Sequence, residues 1–240
     1  FLRDNPDSKS TIQSVLELNS RMGYLDSARG ILIAYSSKLS ELEKGKWYEQ
    51  LGEWEKALEI FDKQIQNQDL NSIYPDKITA LIQCYANLEM WDKIRALENV
   101  FEKMTPTAKK ENALWFSCAE YHNNNIEKAR AFLLSDHTNE NIDIILYKTI
   151  YAIRSGDYED ASNYIVKGFQ ILAENNSIFD GSDASEATRS MVYAQHFVEL
   201  NEALQMKKGV ISSVHKIWQN RIKNFSHESD AWIRMIEVRG

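Results

Sequence analysis

Gly52-Glu53-Trp54-Glu55-Lys56-Ala57-Leu58-Glu59-Ile60-Phe61 is the stretch that decides the fold. Gly52 can adopt the left-handed backbone that closes one helix, Trp54 opens the next, and Ala57 is small enough for two helix backbones to approach. From Trp54, Ala57, Leu58, Phe61 and Ile65 follow at i+3, i+4, i+7 and i+11, one face of an amphipathic helix. The same signature stands at Gly23-Tyr24-Leu25 with Ala28 and at Gly156-Asp157-Tyr158 with Ala161. Weaker copies lie at Met90-Trp91 with Ile94 and Asn125-Ile126 with Ala129. The chain therefore reads as a series of repeated helical hairpins.

Taking Leu25, Trp54, Trp91, Ile126 and Tyr158 as equivalent gives steps of 29, 37, 35 and 32 residues. That range is centred on tetratricopeptide-like hairpins, which bury their apolar faces only by stacking on neighbours. The expected fold is an all-α solenoid of such hairpins, wound as a right-handed superhelix in one array of about six or seven units. Regular hairpins are expected over about residues 10–173, a polar loop at 174–185, and further helices over 186–240. The bulky residue of each signature is expected to enter the groove between paired helices.

Outward from the central hairpin, Ser10 with Gln13 has capping-box spacing ahead of a first helix that ends near Met22. Its partner carries Leu25, Ala28, Ile31, Leu32 and Tyr35. A third hairpin starts at Tyr74-Pro75 with Ile78, Leu81, Ile82, Tyr85 and Leu88, and returns through Trp91, Ile94, Leu97 and Phe101. Thr105-Pro106 opens a fourth with Leu114, Cys118 and Tyr121 aligned, followed by Ile126, Ala129, Phe132 and Leu133. A fifth pairs Ile142, Ile145, Leu146, Ile150 and Ile153 with Tyr158, Ala161, Tyr164, Ile165 and Leu172. Asp183 with Glu186 can cap a helix through Met191, Val192, Ala194, Gln195 and Val198, and two amphipathic stretches follow at 211–222 and 231–238. The chain opens without Met and closes inside a helical pattern, as expected of an excerpt from something longer.

Composition excludes several classes. The chain is 43% hydrophobic and 26% charged, ordinary for a soluble protein, and its three Pro and nine Gly suit long helices with short turns. No apolar run reaches the ~18 residues of a membrane span, and no signal-peptide pattern is present. A net charge of −7 argues against nucleic acid as a partner, although residues 203–240 carry seven Lys or Arg against three acids. Cys84 and Cys118, 34 residues apart, read as buried thiols of a reducing compartment.

The chain holds neither GxGxxG nor GxxxxGK[ST], no His-Arg-Asp catalytic loop and no Asp-Phe-Gly, so this segment cannot itself transfer phosphate. His196 and Glu199 share a helical face without a third ligand, His122, His137 and His215 have no neighbouring nucleophile, and His227-Glu228-Ser229-Asp230 reads as a helix start. No catalytic, cofactor-binding or metal-binding residue is assigned. Trp54 and Trp91 occupy the repeat's own bulky position and read as packing residues. Asn175-Asn176-Ser177 and Asn224-Phe225-Ser226 match the glycosylation sequon, which has no force without a secretory signal.

Trp47 through Leu58, continuing to Phe61-Asp62-Lys63, closely resembles the start of the FAT domain of target-of-rapamycin kinases. Further landmarks keep the family's order: Met90-Trp91, Leu146-Tyr147 with Ala152, Val198-Glu199-Leu200-Asn201-Glu202, Ile217-Trp218-Gln219-Asn220-Arg221, and Asp230-Ala231-Trp232 with Val238-Arg239. The resemblance spans roughly residues 10–240 and departs from the family at Ala113–Tyr121 and at the 174–185 loop. Checkpoint kinases of the same superfamily and its pseudokinase coactivator carry related hairpins.

The resemblance implies a non-catalytic scaffold that clamps and regulates a serine/threonine kinase domain, with ATP and Mg held by that domain and not by this segment. It implies the kinase domain and the N-terminal helical repeats of the same chain as partners, with the regulatory subunits of the complex. It also implies a cytoplasmic location, including the periphery of endomembranes, vacuole or lysosome. The family's inositol-phosphate pocket falls mostly beyond Gly240, with His227 where a basic residue is expected. Under this reading Trp54→Ala or Leu58→Ala opens a cavity costing roughly 3–5 kcal/mol and alters kinase activity. The rival from another class is a free-standing tetratricopeptide adaptor gripping a peptide in its concave groove, for which no carboxylate clamp of clustered Lys, Arg and Asn is legible. An enzyme acting through this segment alone is a third reading.

Overall fold

Among the described residues six tight turns join helices, and each obeys one rule. Counting back from Leu25, Trp54, Trp91, Ile126, Tyr158 and Ile211, the residue two places earlier has positive φ: Gly23, Gly52, Glu89, Asn124, Gly156 and Gly209. At every turn that residue's N–H bonds the carbonyl three back, and the following N–H bonds the carbonyl five back, as in Glu53 N to Tyr48 O (2.8 Å) and Asp157 N to Ala152 O (2.9 Å). This double bond pattern is the Schellman closure, which satisfies carbonyls that a helix end would otherwise orphan.

The computed structural model of the chain describes residues 8–65, 75–134, 141–178 and 184–224. Among these residues there are helices and no strand. The chain divides into two compact units, 1–125 and 126–240. The first holds α1 (Lys9–Arg21), α2 (Leu25–Ala34), a 3-10 turn (Ser36–Lys38), α3 (Glu41–Gln50), α4 (Trp54–Ile65), α5 (Pro75–Asn87), α6 (Trp91–Ala96), α7 (Glu98–Lys103) and α8 (Pro106–His122). The second holds α9 (Ile126–Leu134), α10 (Ile142–Ser155), α11 (Tyr158–Ile178), α12 (Ala184–Lys207) and α13 (Ile211–Asn224). Tyr74, the Asp183 cap, the sequon at Asn224-Phe225-Ser226, His227–Asp230 and the 231–238 stretch include or are residues outside the described ones. Helix α11 runs on to Ile178 and α12 begins at Ala184, so helix enters both ends of the stretch read as a polar loop.

The small position of the signature carries the packing. Ala28, Ala57, Ile94, Ala129, Ala161 and Val214, each three residues after the bulky position, are all wholly buried. The bulky residue behaves differently from the expectation: Leu25 and Ile211 are exposed, and Trp54, Trp91, Ile126 and Tyr158 are half-buried. A residue in the first turn of a helix leans back toward the N-terminus, so these side chains cover the turn and do not enter the inter-helix groove. Leu58 is likewise half-buried, and the fully buried large side chain of α4 is Phe61.

In the first unit, Ile12, Leu16, Ala28, Leu32, Leu39 and Leu51 form one core cluster, and α8, which packs on α5, α6 and α7, separately buries Ala113, Phe116, Cys118 and Ala119. Leu114 and Tyr121, expected to align with Cys118, are only half-buried. The return from Trp91 to Phe101 is two short helices, because Leu97 N bonds Ile94 O and Val100 N bonds Leu97 O three residues apart, tightening the ladder there. In the second unit, Ile145, Ala152, Ile153, Ala161, Ile165, Leu172, Phe197 and Leu204 cluster. Met191 and Val192 of α12 are exposed while Phe197 and Leu204 are wholly buried, so the core face of that helix is set by the latter pair.

Caps fix the helix starts. Ser8, not Ser10, caps α1 by accepting from Thr11 N (3.3 Å), and the capping box is at Ser40 and Glu43. Thr105 with Pro106 caps α8 as expected, and Asn141 caps α10 by accepting from Ile144 N (2.9 Å). Glu43 also accepts from Gln13 (2.9 Å) and pairs with Lys9 (2.8 Å), tying α3 to α1. The Lys9 ammonium, then the Ser40 bonds, hold its carboxyl down at about 2.

A carboxyl lowered in the folded state contributes stability above its unfolded value near ~4.3, and that contribution fades as pH falls toward the folded value. Urea midpoints measured between about pH 5 and 2.5 are therefore expected to fall less steeply in Glu43→Gln than in the parent. The neutral-pH cost of the variant is about 1 kcal/mol, discounted because Lys9 is half-exposed.

Glu89 is a second local test. It holds φ +55, where a side chain costs roughly 1 kcal/mol and glycine does not. Glu89→Gly is expected to raise stability by about 0.5–1 kcal/mol in denaturant unfolding, whereas Gly52→Val, at φ +71, is expected to lower it.

Candidate functional site

Four residues after the bulky position, three hairpins place an arginine: Arg29, Arg95 and Arg130. Each reaches an acid of the following hairpin. Arg29 Nε lies 2.7 Å from Glu53, which also takes Lys56 at 2.8 Å, and Arg29 Nη1 holds Asp26 at 2.8 Å. Arg95 bonds Asp92 (3.1 Å) and faces the buried Glu120 at 3.8 Å. Arg130 pairs with Asp157 and lies 3.8 Å from Asp160. The pairs of Arg29 with Glu53, Arg95 with Glu120 and Arg130 with Asp157 run between hairpins and tie neighbours together, whereas Asp26, Asp92 and Lys56 pair within one hairpin. A partly exposed pair of this kind is worth under ~1 kcal/mol. In the second unit Tyr193 of α12 donates to Asp143 of α10, with Arg189 3.7 Å from the same carboxylate.

A groove of about 490 Å³ opens across the first helices of three successive hairpins. Lys46, Glu49 and Gln50 of α3, Thr79, Ala80 and Gln83 of α5, Glu111 of α8, and Trp54 line it. Burial pushes the Glu49 carboxyl up, and Lys46 only partly offsets this. Behind it, burial pushes the Cys84 thiol up to about 12, with the Glu49 charge adding to the effect. Cys84 is therefore protonated near neutral pH, which fits a packing role. On another face Trp91 stacks on His122, ring centroids 4.5 Å apart and 7° from parallel.

The residues weighed for chemistry stay apart. His196 Nδ1 lies 3.8 Å from Glu199 with both side chains about half-exposed, an i,i+3 surface pair. Among the described residues no three His, Cys, Asp or Glu side chains converge as a metal site would require. Both cysteines are buried and neither is part of a disulfide. His137 and His227 lie outside the described residues. The arginine series is visible in the sequence once the hairpins are in register, although it is not part of the signature. Gly45 and Gly168, each pressed against a phenylalanine of another helix, carry no local signal at all.

A family model for the FAT domain matches residues 88–240. The chain belongs to the FAT domain family. The similarity extends beyond the matched part: serine/threonine-protein kinase tor1 of Schizosaccharomyces pombe is 26% identical over 97% of this chain and 10% of its own length. Serine/threonine-protein kinase TOR2 of Saccharomyces cerevisiae is 25% identical over 96% of this chain and 9% of its own. Serine/threonine-protein kinase TOR of Oryza sativa is 22% identical over 96% and 10%. The FAT segment thus spans about a tenth of the length of the curated relatives it matches. Among solved structures, an assembly chaperone of RpL4 (Acl4) aligns with TM-score 0.55 and 10% identity over 97% of this chain and 95% of that one. This likeness speaks to fold alone and agrees with an α-solenoid of helical hairpins. No helix among the described residues of the FAT segment is long and apolar enough to cross a membrane.

Proposed function

We propose that this FAT segment is the non-catalytic helical scaffold of a target-of-rapamycin-type serine/threonine kinase, clamping the kinase domain and biasing it between restrained and active arrangements in growth and nutrient signalling. The observation that carries the reading is similarity to three such kinases along 96–97% of the segment. The architecture suits the task. Stacked hairpins, tied to their neighbours by apolar packing and ion pairs, can each rotate slightly, and such rotations add along a stack. ATP and Mg belong to the kinase domain of the parent chain. The partners are that domain, the N-terminal repeats and the complex's regulatory subunits, in the cytoplasm or on the periphery of endomembranes.

Mass spectrometry of the native polypeptide tests the parentage. A product of roughly 250 kDa with a kinase catalytic loop among its C-terminal peptides is expected, and a product near 27.8 kDa would overturn it. The regulatory part is tested in the full-length protein with Arg29→Gln, which loosens one inter-hairpin joint at a cost of about 1 kcal/mol. Kinase activity is expected to change about twofold or more. Unchanged activity in Phe61→Leu and Arg29→Gln proteins whose segment is measurably destabilised would sink the regulatory reading.

A further inference from the structure

We infer that the groove across α3, α5 and α8 docks a lysine- or arginine-bearing segment of a partner protein, laid as an extended peptide over the first helices of three hairpins. Most acids in this unit are already paired: Glu41 with Lys44, Glu43 with Lys9, Glu53 with Arg29 and Lys56, Glu59 with Lys63, Asp92 with Arg95. Glu49 and Glu111 contrast with them. They line one groove from separate helices, and neither makes an ion pair or side-chain hydrogen bond among the described residues.

The surplus in the groove is of acceptors. Among the described residues that line it, Lys46 is the single cation. Directly behind the wall, wholly buried Asn112 donates to Thr79 Oγ1 (2.9 Å) and Ala108 O (2.8 Å) and leaves its own Oδ1 without a partner. Glu49 is drawn partly out of water and Lys46 offsets this only in part, so an incoming cation lowers the remaining cost. Trp54 supplies an aromatic face suited to a guanidinium or to the methylene stem of a lysine.

Shape and charge together choose the occupant. A volume of about 490 Å³ takes two or three side chains, more than a single ion needs, and its length over three helices suits an extended backbone. Glutamines 50 and 83 offer both donor and acceptor atoms to that backbone. The chemistry is the reverse of a carboxylate clamp, and it stands independently of which kinase the segment belongs to.

Fluorescence polarisation with labelled acetyl-Ala-Arg-Leu-Arg-Ala-amide on the full-length protein tests it. Saturable binding is expected, with Glu49→Gln and Glu111→Gln each weakening it about tenfold. Glu59→Gln, which neutralises an acid outside the groove, is expected to leave it within about twofold. A peptide with Glu in place of both Arg is expected not to bind. Glu111 is exposed, so its variant keeps the test valid if Glu49→Gln perturbs folding. Absence of binding, or equal weakening by Glu59→Gln, would overturn the inference. So would binding of free spermine as tight as that of the peptide, which would mark general attraction to polycations.

Discussion

Phe61→Ala is expected to lower the unfolding free energy of the first unit by about 3–5 kcal/mol, the cost of emptying a wholly buried aromatic site. The ring is 1% exposed and seats against α3 where Gly45 leaves no side chain. A Cβ at residue 45 would stand 2.6 and 2.9 Å from two carbons of that ring and 3.2 Å from Ile60. Gly45→Ala alone therefore meets two opposed effects. Alanine improves the helix by up to about 1 kcal/mol, and the overpacked ring costs about 1–3. The net is a loss. In the double variant the ring is gone, the clash vanishes and the helix gain remains, so the two changes together are expected to cost less than their sum by about 1–3 kcal/mol. Urea unfolding of the four proteins reads this coupling directly. Additive costs would show that Gly45 and Phe61 do not share one site.

The hairpin register was legible because it rests on local chemistry. A left-handed residue two places before the helix and a wholly buried residue three places into it are needs of the turn itself, and both are met at all six turns, with alanine at four of the buried positions. Even Glu89 and Asn124, which depart from glycine, sit where the rule places them. What escaped the sequence depends on the third dimension. Trp54 looks like a core residue by type and period, yet a side chain in the first turn of a helix leans back over the turn and stays half-buried. Leu97 continues the apolar period through a point where the helix tightens and divides, so periodicity alone shows no break. Ser10 with Gln13 has the spacing of a capping box, but Ser8 takes the cap and Gln13 is drawn to Glu43 of another helix. The groove was invisible for the same reason. Glu49 and Glu111 look like any solvated acids until α3 and α8 are placed on either side of α5.

In the second unit Phe197→Ala is expected to cost about 3–5 kcal/mol, and its effect should be spatially uneven. Phe197 of α12 is wholly buried against α11 at Gly168, where an added Cβ would fall inside the contact distance of the ring, and it sits 5.8 Å, centroid to centroid, from Phe169. Gly168→Ala is therefore expected to push α12 off α11 in spite of its better helix propensity, for a net loss of about 1–2 kcal/mol. Helix α11 packs on both α10 and α12, whereas α9 packs on α10. Hairpin stacks lose stability chiefly at the disturbed joint and its neighbours. Hydrogen exchange of Phe197→Ala should accordingly quicken most in α11 and α12 and least in α9. A uniform rise across α9–α12 would mean that this unit opens as one body, and the hairpins would then lack the independent joints on which a graded conformational role in a kinase depends.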